Sequence, residues 1–268
     1  MRESAAPLVT PAPTPDLIVR LDDAIGNRKD AAVGEDAANA PLARATGASA
    51  VDAFLEKANR LAPAAEGARG RLVFALDATM SRQPTWDAAQ ALQGEMFATA
   101  AAHGGLDVQL VYFRGLQECR ASAFVGGGSG LAALMAKIDC RAGRTQIAKI
   151  LRHTLDEAKA ARVGALVFIG DALEENADAL AHHAGELGLR GVKAFMFQEG
   201  ADSVARAAFR EIARLSGGAY AAFDAGAPAR LADLMNAAAA YAAGGLPALE
   251  KRAGEGRGAA QLLLSQLR

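Results

Sequence analysis

Along the chain, apolar residues fall into two alternating patterns. Short, mostly apolar runs, LVFAL from residue 72, VQLVYF from 108, ALVFIG from 165, VKAFMF from 192 and AYAAF from 219, have the length and β-branched or aromatic content of strands buried on both faces. Between them, apolar residues recur every three or four positions, the period of a helix with one face on a core. These stripes are Leu92, Met96 and Phe97; Leu131, Leu134, Met135 and Ile138; Ile147, Ile150, Leu151 and Leu155; Leu180, Ala184 and Leu187; Val204, Ala208, Ile212 and Leu215; and Leu231, Leu234, Met235 and Ala238. Strands alternating with helices of this length call for crossover connections. The expected fold class is therefore α/β: a doubly wound, mostly parallel, Rossmann-like sheet with helices on both faces. GLQECRASAF breaks the rhythm, since it follows a strand with no helix between, and is expected to be one antiparallel edge strand.

The ends follow other rules. Residues 1–46, with Pro7, Pro11, Pro13 and Pro15 and a Gly, Asn, Asp and Ala mixture, lack periodic apolar surface and read as a flexible leader, in which LIVRLDDAI has the pattern of a short helix. Residues 47–66 lead into the domain through a helix that carries Val51, Phe54, Leu55, Ala58 and Leu61 on one face, with Ser49 as its cap. The main domain is expected over 70–243, and 244–268, broken by Gly254, Gly256 and Gly258, reads as a linker and a short C-terminal helix.

Composition narrows the function. A chain of 268 residues, 51% hydrophobic, can bury one sizeable core. A formal net charge of -1 gives no basic field for nucleic acid or an acidic membrane surface, and no apolar run approaches a membrane span. Two cysteines, Cys119 and Cys140, fit reduced thiols in a cytoplasmic protein better than a disulfide framework, and Cys140, near the candidate site in sequence, is a candidate redox position. Of the histidines, His182 and His183 are adjacent on a helix and point apart, while His103 and His153 are assigned to solvent.

Chemistry gathers where the strands end. In an open α/β sheet, ligands bind at the carboxyl edge, where neighbouring connections leave for opposite faces. Three segments reach that edge: DATMS after the first strand, GRT before a helix, and GD after a central strand. They bring Asp77, Thr79, Ser81, Thr145 and Asp171, two carboxylates and three hydroxyls without His or Cys, a donor set for Mg²⁺ or Mn²⁺ rather than Zn²⁺. The plainer reading of the same residues is helix capping, with Asp171 capping a helix near Glu175.

DATMS, Thr145 in GRT and Asp171 in IGDA resemble the metal-ion-dependent adhesion site of von Willebrand factor type A (VWA) domains, and FREIARLSGGAYAAFDAGAPARLADLM resembles the late helix, Gly-Gly turn and last strand of that family. Thr79 stands where the family usually has Ser, and Ala172 where it often has Gly. The resemblance implies a non-enzymatic adaptor or scaffold that binds a protein partner: Asp77, Thr79, Ser81, Thr145 and Asp171 hold the ion, whose open position takes an acidic group of that partner. Intracellular bacterial members assist larger assemblies such as ATPases or chaperone-like systems, which is the partner class implied. Around the site, Arg82 and Arg144 would attract an acidic partner, Glu174 and Glu175 would oppose it, and Trp86 is either an interface anchor or a core residue. An alternative resemblance, to haloacid-dehalogenase-like phosphotransferases, makes Asp77 a nucleophile, with Mg²⁺ partly on Asp171 and Lys149 steadying the phosphoryl charge. GGGSG at 126–130 lacks a phosphate-loop ending and reads as a turn.

Overall fold

The structure, a computed structural model, describes residues 18–21, 69–224 and 226–267. The predicted helix within 47–66 and most of the leader lie outside them.

Seven strands form one sheet in the order β1-β4-β3-β2-β5-β6-β7. They are β1 (Ile18–Arg20), β2 (Gly70–Asp77), β3 (Leu106–Arg114), β4 (Glu118–Val125), β5 (Ala165–Gly170), β6 (Lys193–Glu199) and β7 (Ala219–Phe223). Strands β3, β2, β5, β6 and β7 pair in parallel, whereas β4 runs antiparallel between β3 and β1. GLQECRASAF is therefore antiparallel as expected but is not the edge. LIVRLDDAI, for which the sequence predicts a helix, instead supplies β1: Val19 lies opposite Ala121, and the Leu21 N–H donates to the Cys119 carbonyl at 3.0 Å. An open row of peptide groups on β4 offers partners that a three-residue helical turn would not, and this tertiary gain decides the segment.

The helices are α1 (Gln83–Ala101), α2 (Gly128–Met135), α3 (Ile147–Ala160), α4 (Ala177–Leu189), α5 (Ser203–Ser216), α6 (Pro228–Gly254) and α7 (Gly258–Leu264). Helices α1, α2, α6 and α7 cover one face, where Leu72, Phe74, Leu76, Phe195 and Phe197 point; α3, α4 and α5 cover the other, with Val73, Ala75, Phe168 and Met196. Each fully buried Phe or Leu contributes about 1.5–3 kcal/mol by leaving water. The stripe on α5 is rotated from its expected position: Val204 is exposed, and Ala205, Phe209 and Ile212 face the core. Gly217 ends that helix in the left-handed region at φ 64°, and a Cβ on Gly218 would meet the Ala194 carbonyl at 2.0 Å, so the turn must carry glycines to lie against β6.

The supposed linker after residue 243 is helix. α6 runs on to Gly254 through a kink at Gly245 (φ 67°, ψ -157°), ahead of Pro247, and Leu249, Ala253, Ala259, Ala260 and Leu263 join the core. GGGSG likewise gives way to helix, with α2 starting at Gly128. Among the described residues, no helix is long and apolar enough to cross a membrane.

Candidate metal centre

Strands β2 and β5 are neighbours whose following helices, α1 and α4, pack on opposite faces, so the crevice opens at their carboxyl ends. Asp77 closes β2 there. The loop after β2, the loop before α3, the β3–β4 turn and the loop after β5 meet above it, and hydrogen bonds join them. The Arg141 N–H, in the loop before α3, donates to the Ala78 carbonyl at 2.9 Å, and the Arg144 N–H donates to the Gly115 carbonyl in the β3–β4 turn at 3.0 Å. The approach is close enough that a Cβ on Gly143 would sit 2.2 Å from the Gly115 oxygen. From the loop after β5, the Glu174 N–H donates to Thr145 Oγ1 at 3.0 Å, and Glu174 Oε2 accepts from the Thr145 N–H at 3.4 Å.

These contacts bring the loops that carry the predicted donors together, and Asp171 lies near enough to Asp77 for its charge to act on it. Asp77 is 4% exposed and Thr145 8%, while Thr79 and Asp171 are half-buried and Ser81 is exposed. Asp77 Oδ1 accepts from the Thr79 N–H at 2.7 Å, and the Thr79 and Ser81 hydroxyl oxygens lie 3.4 Å apart. Neither hydroxyl caps the short 3₁₀ turn Met80–Arg82 or helix α1. Asp171 caps nothing either: Asn176 caps α4, accepting from the N–H groups of Asp178 at 2.9 Å and Ala179 at 3.1 Å. The capping reading thus loses the residues it needed, and the hydroxyls keep lone pairs for a ligand.

The electrostatics of this edge would favour a cation. Burial pushes the Asp77 carboxyl up from 3.8 to about 6; the hydrogen bonds from Thr79 oppose this, Asp171 adds to it through its own charge, and Arg82 partly offsets it. A buried carboxylate held only by Thr79, beside a second carboxylate, is a group that a divalent ion would relieve. The donor chemistry fits Mg²⁺ or Mn²⁺.

Several expected roles change. Arg82 does not point at a partner. Its side chain is only 12% exposed; Nη2 pairs with Asp171 Oδ2 at 3.2 Å, and Nη1 pairs with Glu199. Trp86 is 1% exposed and packs edge-on against Tyr112 with centroids 6.0 Å apart, so it is a core residue and no interface anchor. Arg144 is exposed, as a partner-facing role requires. Glu174 is bound to Thr145, and Glu175 accepts from the N–H groups of Ile147 at 2.5 Å and Ala148 at 2.9 Å, capping α3 across the loop. Lys149 donates to the Gln117 carbonyl at 3.1 Å, an arrangement that lends no support to a phosphoryl-transfer role.

Cys140 is buried, and desolvation, then the charges of Asp77 and Asp87, push its thiol up to about 11, which removes the thiolate a redox position would need. His153 is not in solvent: its ring nitrogen lies 2.9 Å from Gln109 Oε1, and burial lowers its pKa. His182 and His183 do not diverge fully, since both reach Glu186, at 3.7 and 3.2 Å, on the outer face of α4.

Sequence reasoning missed Glu199. It closes β6, is 7% exposed, accepts from Thr85 Oγ1 and pairs with Arg82. Gly170 lies opposite Gln198, so Asp171, just past the end of β5, and Glu199, the last residue of β6, follow paired positions. The available signal was an acidic residue before Gly200 at the end of an apolar run, the pattern already used for Asp77 and Asp171.

No protein-family model and no curated protein matches this chain. Solved structures do resemble it in fold. A von Willebrand factor type A protein from Catenulispora acidiphila aligns at 16% identity and a TM-score of 0.53, over 65% of this chain and 43% of that one. The VWA domain of SpRpn10 aligns at 11% identity and a TM-score of 0.50, over 61% and 95% respectively. Proximal thread matrix protein 1 from the mussel byssus aligns at 13% and 0.51, over 63% of this chain and 46% of that one. The chain thus spans less than half the length of two of these three. At such identities the likeness establishes a VWA-like fold and nothing finer.

Proposed function

We propose that this chain is a non-enzymatic, metal-dependent protein-binding module of the cytoplasm, an adaptor or scaffold that recognises an acidic group of a protein partner through Mg²⁺ or Mn²⁺. The observation that supports this reading is that the loop carrying Thr145 is hydrogen-bonded both to the loop carrying Asp77, Thr79 and Ser81 and to the loop after β5, while the hydroxyls of Thr79 and Ser81 cap no helix.

When bound, the ion would supply a Lewis-acidic position for a carboxylate. Asp77, Thr79, Ser81, Thr145 and Asp171 would hold it. Three of these five donors are neutral, so the set leaves part of the ion's charge unspent for a partner's acid. The surroundings suit a protein rather than a small metabolite. Five large hydrophobic side chains are exposed among the described residues, and three stand at this edge: Met80 (64%) in the first loop, Leu116 (73%) in the β3–β4 turn, and Val204 at the start of α5. Arg144, bonded through its N–H to the residue beside Leu116, adds a positive charge to that rim. An ATPase or chaperone-like assembly is the partner class that the VWA resemblance implies.

The test is calorimetric titration of the metal-stripped chain with Mg²⁺ and Mn²⁺, beside Asp77→Ala and Thr145→Ala. Binding by the parent alone is expected. The immobilised parent should then capture a protein from cell extract that chelator releases and that Asp77→Ala does not hold. Metal binding retained by both variants would place the ion elsewhere and end this reading.

A further inference from the structure

The crevice already holds a cation of its own. Arg82 stands between the ends of β5 and β6, its guanidinium on Asp171 Oδ2 at 3.2 Å with one nitrogen and on Glu199 with another. Both carboxylates are among the donors and neighbours of the proposed ion. A guanidinium on Asp171 and a divalent ion on the same carboxylate repel each other at short range, in surroundings where water screens them poorly. Only one of them can use Asp171 fully.

We propose that Arg82 is the resident counter-cation of this site and sets its metal affinity: the divalent ion binds by displacing the guanidinium from Asp171. This inference rests on the metal-binding reading above. Three features fit an exchangeable occupant rather than a fixed strut. First, the seat is incomplete, because Arg82 Nε is buried without an acceptor among the described residues. Second, Arg82 ends a three-residue 3₁₀ turn next to exposed Met80 and Ser81, so its side chain can swing outward by rotamer change without unwinding a long helix. Third, Glu199 keeps a partner when the arginine leaves, since Thr85 Oγ1 donates to it. After the exchange Asp171 would face the ion, Glu199 would face Thr85, and the freed guanidinium would stand at the mouth. No carboxylate is left bare.

Charge balance points the same way. Asp77, Asp171 and Glu199 bring three carboxyl groups to the carboxyl ends of β2, β5 and β6, and the single guanidinium of Arg82 meets two of them. Among the described residues, the hydrogen bonds to Asp77 come from Thr79 alone. One monovalent group cannot serve all three, which leaves a site that holds its arginine yet still favours a more highly charged ion.

The experiment measures Mn²⁺ binding by calorimetry and by the loss of the free-ion electron paramagnetic resonance signal, on the metal-stripped parent, Arg82→Ala and Arg82→Gln. Arg82→Gln preserves much of the side chain's bulk should the alanine variant fold poorly. Both variants are expected to bind about tenfold more tightly than the parent, the size of coupling between groups that share one carboxylate. Free guanidinium at a non-denaturing concentration should weaken Mn²⁺ binding to Arg82→Ala by refilling the vacated seat, and leave the parent unchanged. Equal affinities in parent and variants would overturn the exchange while leaving the metal site standing. Weaker binding in the variants would also overturn it, making Arg82 a positioning residue. Binding by none of the three would remove both the exchange and the metal reading beneath it.

Discussion

Replacing Asp77 by Asn should stabilise the metal-free protein at neutral pH. The carboxylate is 4% exposed at the end of β2, and its pKa is raised from 3.8 to about 6, chiefly by burial. A shift of about two units, at about 1.4 kcal/mol per unit, makes the ionised group cost about 3 kcal/mol in the folded chain relative to the unfolded one. Because the folded pKa is the higher, the folded state binds more protons between the two values. Stability therefore falls as pH rises from about 4 to about 6, and the loss is complete above that window. Asparagine keeps an oxygen for the Thr79 N–H and never ionises. In chelator, Asp77→Asn and its parent should melt together near pH 4 and separate through pH 6. Above that the variant should lead by up to about 3 kcal/mol, or about 6–10 °C for a domain of this size. Thermal melts followed by circular dichroism from pH 4 to 8 read this directly, since titrating groups that do not interact with Asp77 cancel in the difference. Mg²⁺ should narrow the gap by stabilising only the parent. A difference independent of pH, or a variant less stable than its parent at pH 7.5 in chelator, would refute the account of Asp77 as a strained carboxylate waiting for a cation.

Three further predictions concern neighbouring elements. Trp86→Ala should cost about 3–5 kcal/mol in urea unfolding, the loss typical of a large buried aromatic, whereas an interface anchor would leave stability almost untouched. Glu175→Ala removes the acceptor for the Ile147 and Ala148 N–H groups and should lower stability by about 1 kcal/mol, while Glu175→Gln, which still offers an oxygen, should lose less; equal losses would argue against capping. At the outer edge of β7 the Gln266 side chain accepts from the Tyr220 N–H and donates to the Tyr220 carbonyl, both at 3.0 Å, much as a further strand would. Gln266→Ala should expose that edge and promote concentration-dependent self-association, visible by light scattering; a strictly monomeric variant would deny the side chain this protective role.

The fold class was legible because both periods are local. Apolar runs at 72–76, 165–170 and 192–197 can be satisfied only with both faces covered, and the stripes between them fit helices that do the covering. The position of Asp77 and Asp171 was legible for a related reason: a polar residue at or just past the end of a buried strand must lie at the sheet edge, whatever surrounds it. Residues whose roles depend on a distant partner were not legible. Nothing near Ile18–Arg20 announces the open side of β4, roughly a hundred residues along the chain, so local pattern gave a helix where pairing makes a strand. The continuation of α6 past Gly245 likewise depends on the surface it packs against.

Within the site the division is the same. Its composition of carboxylates and hydroxyls follows from sequence alone. The use of each group was decided by the tertiary structure, which turned Arg82 inward onto Asp171 and Glu199, set Glu175 on the first turn of α3 and buried Trp86 against Tyr112. The physical reason is that periodicity fixes which face of an element is buried, while the pairing of a charged or amphipathic side chain depends on which other element the topology brings within a few ångströms. A chain can encode its strands one segment at a time, but a charge finds its partner only when the sheet has closed.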